Sequence, residues 1–221
     1  MSAWLNAAWH APALPSAALL PLWVALSWGL LGAAVLWIWA DRHRPAWLWR
    51  TLAVCLLLSL CLPATRPWTA WLALALQSPS LLGLGWLLLW AWDVTRRPGA
   101  SAPQVPVAWA LAGVVLGWGL WLDTLNLWPA AFDVPLFAWG FSAIPFWVGL
   151  VLVAWTGWRA PRAGESSRLA ALLLVVLAVF ALTRWPSGNL WDAWLDPWVW
   201  LGCHAVCVRA WLARRTPRPQ R

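Results

Sequence analysis

Seven mostly apolar stretches, each close to the length that crosses a lipid bilayer as a helix, constrain the fold of this chain most. Crossing the hydrocarbon core takes about 20 apolar residues, and lipid leaves helices as the simplest way to satisfy backbone polar groups. Hydrophobic residues make up 63% of the chain and charged residues 10%, far from the balance of a soluble domain. The candidate spans are 17–39, 47–63, 68–92, 105–122, 135–158, 168–184 and 197–213. We therefore expect an all-α integral membrane protein, a bundle of about seven transmembrane helices, forming a single polytopic domain over residues 1–221.

Arginines orient these spans. All fifteen basic residues are arginines, and thirteen of them fall on one side of the predicted bundle, leaving Arg66 and Arg184 on the other. Short basic loops are retained in the cytoplasm during insertion, so the arginine-rich side is predicted to be cytoplasmic. With seven spans, the C-terminus is then cytoplasmic and the N-terminus outside. The formal charge of +8 sits in loops between apolar segments, which favours anionic lipid headgroups as partners and gives no indication of nucleic acid.

Small and polar residues predict where helices pack or break. Glycines predict close helix approach in three spans, because they leave a smooth helical face. They are Gly113, Gly117 and Gly119 in the fourth span, Gly29 and Gly32 in the first, and Gly83 and Gly85 in the third. Residues 77–80, Gln-Ser-Pro-Ser, interrupt the third span. They predict either a broken span or a short interfacial helix followed by a span. Pro145 predicts a kink in the fifth.

Polar residues collect at the predicted outer ends of the spans. Asp123 and Asn126 end the fourth span, and a spacing of three places them on one helical face. In the last outer loop Asp192 and Asp196 are four apart, a spacing that also shares a helical face, and Asn189 is suited to cap that short helix. The candidate catalytic residues are Asp123, Asp192 and Asp196. The candidate contacts for a substrate or lipid are Arg66, Trp121, Asn126, Arg184, Asn189, Trp191 and Trp194.

Several interpretations of this outer group remain open. Paired carboxylates with arginines can bind a phosphate through a divalent metal, supply a general base, or hold a cation during transport. Alternatively, the aspartates cap helices and pair with Arg66 and Arg184 at the headgroup level; Arg184 is also a candidate partner for Asp123. The 27 tryptophans are typical of membrane interfaces, although indoles at the outer face could also stack on a flat ligand.

No catalytic, nucleotide-binding or metal-binding motif is present in the sequence, and we expect no resident metal or cofactor. The leading hypothesis is a non-enzymatic component, an accessory or scaffolding subunit of a bacterial envelope complex. Its expected location is the inner (plasma) membrane, where it contacts membrane lipids and a membrane-protein partner. One alternative is a carrier or flippase for a lipid-linked or small anionic substrate, with a polar cavity lined by Gln77, Ser78, Asp123, Asn126 and Ser142. Another is an outer-face enzyme acting on a lipid-linked phosphate or sugar, in which the three aspartates converge with Arg66 and Arg184.

Overall fold

A computed structural model describes residues 14–43, 45–59, 66–127, 135–159 and 165–215. Within these ranges the chain is helical and contains no strand. The helices are α1 (Leu20–Arg42), α2 (Ala46–Ser59), α3 (Arg66–Leu76), α4 (Leu81–Arg96), α5 (Val107–Thr124), α6 (Leu136–Trp139), α7 (Ala143–Arg159), α8 (Glu165–Thr183), α9 (Leu190–Trp194) and α10 (Pro197–Arg215).

Two of the described helices, α1 and α5, are long and apolar enough to cross a membrane, and a third candidate is the bent pair of α3 and α4. Parts of α2, α7 and α8 form shorter apolar helices. Large apolar side chains lie exposed along these helices, with Leu182 of α8 86% exposed and Trp71 of α3 71%. Soluble proteins rarely leave extended apolar surface open to water, so the lengths and surfaces of these helices indicate association with a membrane.

Helix α8 lies at the centre of the hydrophobic core. Its buried residues Leu173, Val176, Leu177 and Phe180 recur at steps of three and four, the spacing of one helical face. Around them pack residues from α1, α4, α7 and α9. Helix α1 also contacts α2 and α3, and α5 pairs with α10. The core therefore joins the N-terminal and C-terminal halves of the chain.

The predicted break in the third span is confirmed. Helices α3 and α4 meet at 119° across residues 77–80, where Gln77 has a φ of 61°. Ser80 begins α4 as its N-cap, because its Oγ accepts the Gly83 N–H at 3.0 Å. The polar stretch therefore ends one helix and starts another in a new direction.

The predicted fifth span is divided differently from the expectation. The chain breaks at residues 140–142, between α6 and α7, and Pro145 is the third residue of α7. Proline is tolerated in the first turn of a helix because its missing N–H has no intrahelical acceptor there. The kink predicted at Pro145 is therefore wrong, and the proline lies at a helix start.

Close packing is confirmed for five of the predicted glycines: Gly32, Gly83, Gly85, Gly113 and Gly117. A Cβ added to Gly117 of α5 would lie 2.3 Å from two atoms of the Trp200 indole, and one added to Gly113 would lie 2.8 Å from Cys203 Sγ. A Cβ on Gly32 of α1 would meet a Leu56 methyl carbon at 2.7 Å. Glycine at these positions lets α5 approach α10 and α1 approach α2.

Candidate functional site

The short helix α6 is held on both sides by residues that the sequence predicted as candidate site residues. The Phe137 backbone N–H donates to Asp123 Oδ2 at 2.7 Å, and the Phe137 carbonyl accepts from Asn189 Nδ2 at 2.9 Å. Asn189 is fully buried. The structure thus brings Asp123 and Asn189 to opposite sides of one backbone unit. Asp123 supplies the acceptor that the Phe137 N–H lacks within α6, and Asn189 adds a second donor to the Phe137 carbonyl, which also accepts the Gly140 N–H at 3.1 Å.

Asn189 also caps α9, as its position in the sequence predicted. Its Oδ1 accepts the Trp191 N–H at 2.9 Å. The Leu190 N–H donates to the Gly140 carbonyl at 2.9 Å, and the Trp191 indole donates to the Leu136 carbonyl at 2.8 Å. A Cβ on Gly140 would overlap Asn189 Oδ1, at 1.7 Å. The loop that carries α9 is therefore fastened to α6 and the turn that follows it.

Asp192 lies at the end of the same hydrogen-bond network. The Ser187 hydroxyl donates to Asp192 Oδ2 and accepts the Asn189 backbone N–H at 3.2 Å. Burial raises the pKa of the Asp192 carboxyl, and the Ser187 hydrogen bond offsets part of that rise. A continuous path of bonds therefore runs from Asp123 through Phe137, Asn189 and Ser187 to Asp192.

Asp196 connects two helix N-termini. Its Oδ1 accepts the Val199 N–H at 2.7 Å within the first turn of α10, and its Oδ2 accepts the Ser80 N–H at 2.8 Å at the start of α4. The residue is only 8% exposed. A carboxylate is favoured at a helix N-terminus by the unpaired N–H groups and the helix dipole. Asp196 therefore fixes the start of α10 against the break between α3 and α4.

The helical faces predicted for two residue pairs are wrong. Helix α9 ends at Trp194, and Leu195 is extended with φ −134° and ψ 114°, so Asp192 and Asp196 belong to different helices. Helix α5 ends at Thr124, and Asn126 follows in the left-handed conformation with a φ of 54°. Its side chain is exposed and shares no helical face with Asp123.

Neither candidate arginine is shown next to an aspartate of the group. The Arg184 guanidinium lies 5.3 Å from the Phe180 ring centroid, and among the described residues no ion pair joins it to Asp123. Arg66 begins α3, but its side chain lies outside the described part of the chain. An ion pair that the sequence did not predict lies elsewhere, between Arg168 Nη2 of α8 and Asp93 Oδ1 of α4 at 2.8 Å.

Of the three candidate tryptophans, Trp191 and Trp194 pack against other helices and Trp121 lies at the surface. The Trp191 and Trp194 rings lie 6.4 Å apart, and a Cβ on Gly149 of α7 would lie 2.4 Å from the Trp194 ring. Trp121 is half exposed and meets Trp118 edge-on at 5.5 Å. Only Trp121 of these three keeps much of its ring surface available for a ligand or lipid.

His204 of α10 is held beside this aromatic group with both ring nitrogens satisfied. Its Nδ1 lies 2.9 Å from the Trp200 carbonyl, and its Nε2 lies 3.3 Å from the Trp118 indole nitrogen. A carbonyl only accepts and an indole N–H only donates, so Nδ1 donates to the Trp200 carbonyl and Nε2 accepts from the Trp118 indole. The residue therefore packs α10 against α5.

The arrangement favours a structural use of the three carboxylates. Asp123, Asp192 and Asp196 bind three separate places: the α6 backbone, the Ser187 hydroxyl and two helix N-termini. Within the described ranges, no group of three His, Cys, Asp or Glu side chains is placed to hold a metal ion. Sequence reasoning missed Ser187 and Gly140, which complete the network. Gly140 meets residues about 50 positions away in the sequence, which no local pattern indicates. The partners of Ser187 lie within five residues, but a serine in a turn does not show which neighbour it binds.

A groove of about 340 Å³ lies between α7 and α8. Its lining residues are Leu150, Val153, Ala154, Gly157, Ser167, Ala170, Ala171 and Leu174. It is almost entirely apolar and contains none of the residues that the carrier hypothesis places around a polar cavity.

Comparison of the chain with models of protein families, with curated proteins and with solved structures finds no match.

Proposed function

We propose that the protein is a non-enzymatic, polytopic component of a bacterial inner membrane, an accessory or scaffolding subunit that contacts partner helices and lipid. The observation that carries this proposal is how the candidate carboxylates are used. Asp123 accepts a backbone N–H of the short helix α6, Asp196 accepts backbone N–H groups at the starts of α4 and α10, and Asp192 accepts a hydroxyl of its own loop. A catalytic or transport site needs carboxylate oxygens directed at a substrate or ion, whereas these oxygens hold the polypeptide together.

The apolar helix surfaces support a role in contact with other molecules inside the membrane. Val151 of α7 is 65% exposed and Leu74 of α3 is 78% exposed, and α2 makes its main contacts with α1 alone. Association between membrane helices depends on packing of such faces and on small residues. Partner helices and lipid chains are therefore the ligands that this surface suits.

The proposed topology has seven spans, an outside N-terminus and a cytoplasmic C-terminus. It is tested across α5 by single cysteines in a background in which the native cysteines are replaced by serine. Ser101→Cys before α5 and Asn126→Cys after it both replace exposed residues. We expect a membrane-impermeant maleimide to label Asn126→Cys in intact cells and Ser101→Cys only after permeabilisation. Labelling of both positions, or the reverse pattern, would contradict the proposed orientation.

The proposed role is tested by native mass spectrometry of the tagged protein extracted gently from its own membrane. We expect a complex of fixed stoichiometry with at least one other protein. We also expect the same complex from the Asp123→Asn, Asp192→Asn, Asp196→Asn triple variant in whatever fraction of that variant remains folded. A monomer that carries a defined lipid-linked phosphate or sugar, lost in the triple variant, would overturn the proposal in favour of a carrier or enzyme.

A further inference from the structure

The arginine-rich ends of α1, α2 and α4 hold arginine side chains over indole rings. The Arg50 guanidinium of α2 lies 5.4 Å from the ring centroid of Trp37 in α1, and that of Arg96 lies 4.3 Å from the ring of Trp92 in the same helix, α4. The Arg42 guanidinium at the end of α1 lies 5.4 Å from the Trp90 ring. We call Arg42, Arg50 and Arg96 the arginine–indole patch.

Hydrogen bonds fix two of the indoles beneath the patch. The Trp37 indole N–H donates to Thr95 Oγ1 at 2.9 Å, which joins α1 to α4 one residue before Arg96. The Trp90 indole N–H donates to the Ala100 carbonyl at 3.1 Å. With these rings fixed, the arginines above them lose less side-chain freedom when a ligand binds.

The acidic residues at this end are engaged elsewhere. Asp41 Oδ2 accepts the Gly99 N–H at 2.7 Å, and Asp93 pairs with Arg168. Within the described ranges, neither carboxylate forms an ion pair with an arginine of the patch. All three patch arginines are exposed. The patch therefore presents three positive charges that no described carboxylate neutralises by direct pairing.

We propose that the arginine–indole patch binds the phosphate of an anionic phospholipid headgroup. A guanidinium that lies over an aromatic ring keeps its N–H edge available, and that edge matches phosphate oxygens in a bidentate arrangement. Indoles favour the headgroup level of a bilayer, and anionic leaflets attract clustered arginines. This inference rests on the proposed membrane placement of the chain.

The apolar surface beside the patch selects a lipid over a free phosphate ion. Trp47 of α2 is 68% exposed and lies three residues before Arg50, and Trp92 is 54% exposed and lies four residues before Arg96. Residues three or four apart share a helical face. Each of these arginines therefore has an exposed indole on its own face, which gives the glycerol and upper acyl chain of a lipid an apolar contact.

The test is a titration of the full-length protein in a neutral detergent with dioleoyl phosphatidylglycerol, in which native mass spectrometry measures binding of the first lipid. Dioleoyl phosphatidylcholine, with the same chains and no net charge, is the comparison lipid. For the R50Q/R96Q variant we expect weaker binding of the anionic lipid by about fivefold for each arginine and about 25-fold for the pair, because each substitution removes charge-assisted hydrogen bonds to the phosphate. The matched control is R209Q/R214Q in α10. It removes two exposed arginines for which the described part of the chain shows no ring contact, and we expect less than about a twofold change.

A second variant separates guanidinium recognition from charge alone. R50K/R96K keeps both charges but replaces the planar fork with a compact ammonium, and we expect it to bind the anionic lipid about fivefold more weakly than wild type. Equal loss in R50Q/R96Q and R209Q/R214Q, wild-type binding by R50K/R96K, or equal binding of the two lipids would overturn the proposal. Displacement of the lipid by millimolar inorganic phosphate would overturn the choice of a lipid. None of these results alters the partner complex or the labelling pattern that test the proposed function.

Discussion

The fully buried Asn189 gives the sharpest test of how α6, α9 and the loop before α9 are held together. Asn189→Asp changes one side-chain atom. An aspartate still caps α9, because one oxygen accepts the Trp191 N–H as Asn189 Oδ1 does. The other oxygen replaces Nδ2, which donates to the Phe137 carbonyl at 2.9 Å. Two acceptors then face each other in a buried site, and one of them is charged.

The expected loss follows from those two groups. The Phe137 carbonyl still accepts the Gly140 N–H at 3.1 Å, so most of the loss comes from the new carboxylate oxygen, which is buried without a donor. An unsatisfied buried group costs about 1–3 kcal/mol and a charged one more, so we expect a loss of about 3 kcal/mol at pH 7. For a chain of this size that corresponds to a fall in apparent melting temperature of about 6–12 °C. Burial raises the pKa of an aspartate above its reference value of about 3.9, so the introduced carboxyl is mostly protonated at about pH 4. Its O–H can then donate to the Phe137 carbonyl, and most of the loss should disappear.

The assay is thermal unfolding in a mild detergent, followed by circular dichroism from pH 4 to pH 8, with each variant compared with wild type at the same pH. Because the native carboxylates titrate in both proteins, comparing melting temperatures at the same pH removes their effect. Asn126→Asp is the matched control, because Asn126 is exposed and aspartate tolerates its left-handed backbone. If Asn189→Asp and Asn126→Asp melt alike at pH 7, or if the deficit of Asn189→Asp does not shrink in acid, the reasoning is refuted.

Three further predictions concern packing and capping, each measured by the same melting assay. Gly117→Ala should destabilise by about 1–3 kcal/mol, because its Cβ would overlap Trp200; Gly202→Ala, which meets no atom within 4 Å, should be neutral or raise stability by up to about 1 kcal/mol. Asp196→Ala should cost about 2 kcal/mol or more, since two helix N-termini lose their acceptor; an unchanged melting temperature would contradict the capping role. Because burial raises the Asp192 pKa, its contribution to stability is present below the unfolded pKa of about 3.9 and is lost as pH rises through the folded value. The melting temperature of Asp192→Asn minus that of wild type should therefore rise as pH rises, and a constant difference would count against that shift.

Local sequence signals predicted the packing faces and one of the two breaks. Gly113 and Gly117 lie one helical turn apart, which is enough to predict a close approach without knowing the partner helix. The stretch at residues 77–80 contains a proline and three polar residues, which resist burial within a span. Both features depend on neighbours in the sequence, and both appear in the structure.

One wrong prediction had a local signal against it. Asp196 precedes Pro197, and a residue before proline is disfavoured in the helical region. Helix α9 accordingly ends before Asp196, and the proline begins α10. The spacing of four between Asp192 and Asp196 was therefore less informative than the Asp-Pro pair.

Other features depend on contacts that no local pattern contains. Asp196 binds the Ser80 N–H across 116 residues, and Asn189 binds the Phe137 carbonyl across 52. The break after α6 lies at the same contacts. Gly140 packs against Asn189, and its carbonyl accepts the Leu190 N–H. The sequence identified Asp123, Asn189 and Asp196 as important polar residues, but it did not indicate that their hydrogen-bond partners are backbone groups.

The two ends of the described helices use their charged residues in opposite ways, and this contrast predicts which substitutions alter stability and which alter binding. At one end, Asp123 and Asp196 accept backbone N–H groups, so their replacement should loosen loops and leave the external surface largely unchanged. At the other end, Arg50 and Arg96 lie on indoles with their N–H edges open, so replacing them by glutamine should change lipid affinity far more than melting temperature. Surface cation–π contacts contribute about 0.5–1 kcal/mol, a small part of the stability of a folded chain. A large drop in melting temperature for R50Q/R96Q, or lost lipid affinity for Asp196→Ala, would break the division between the two ends.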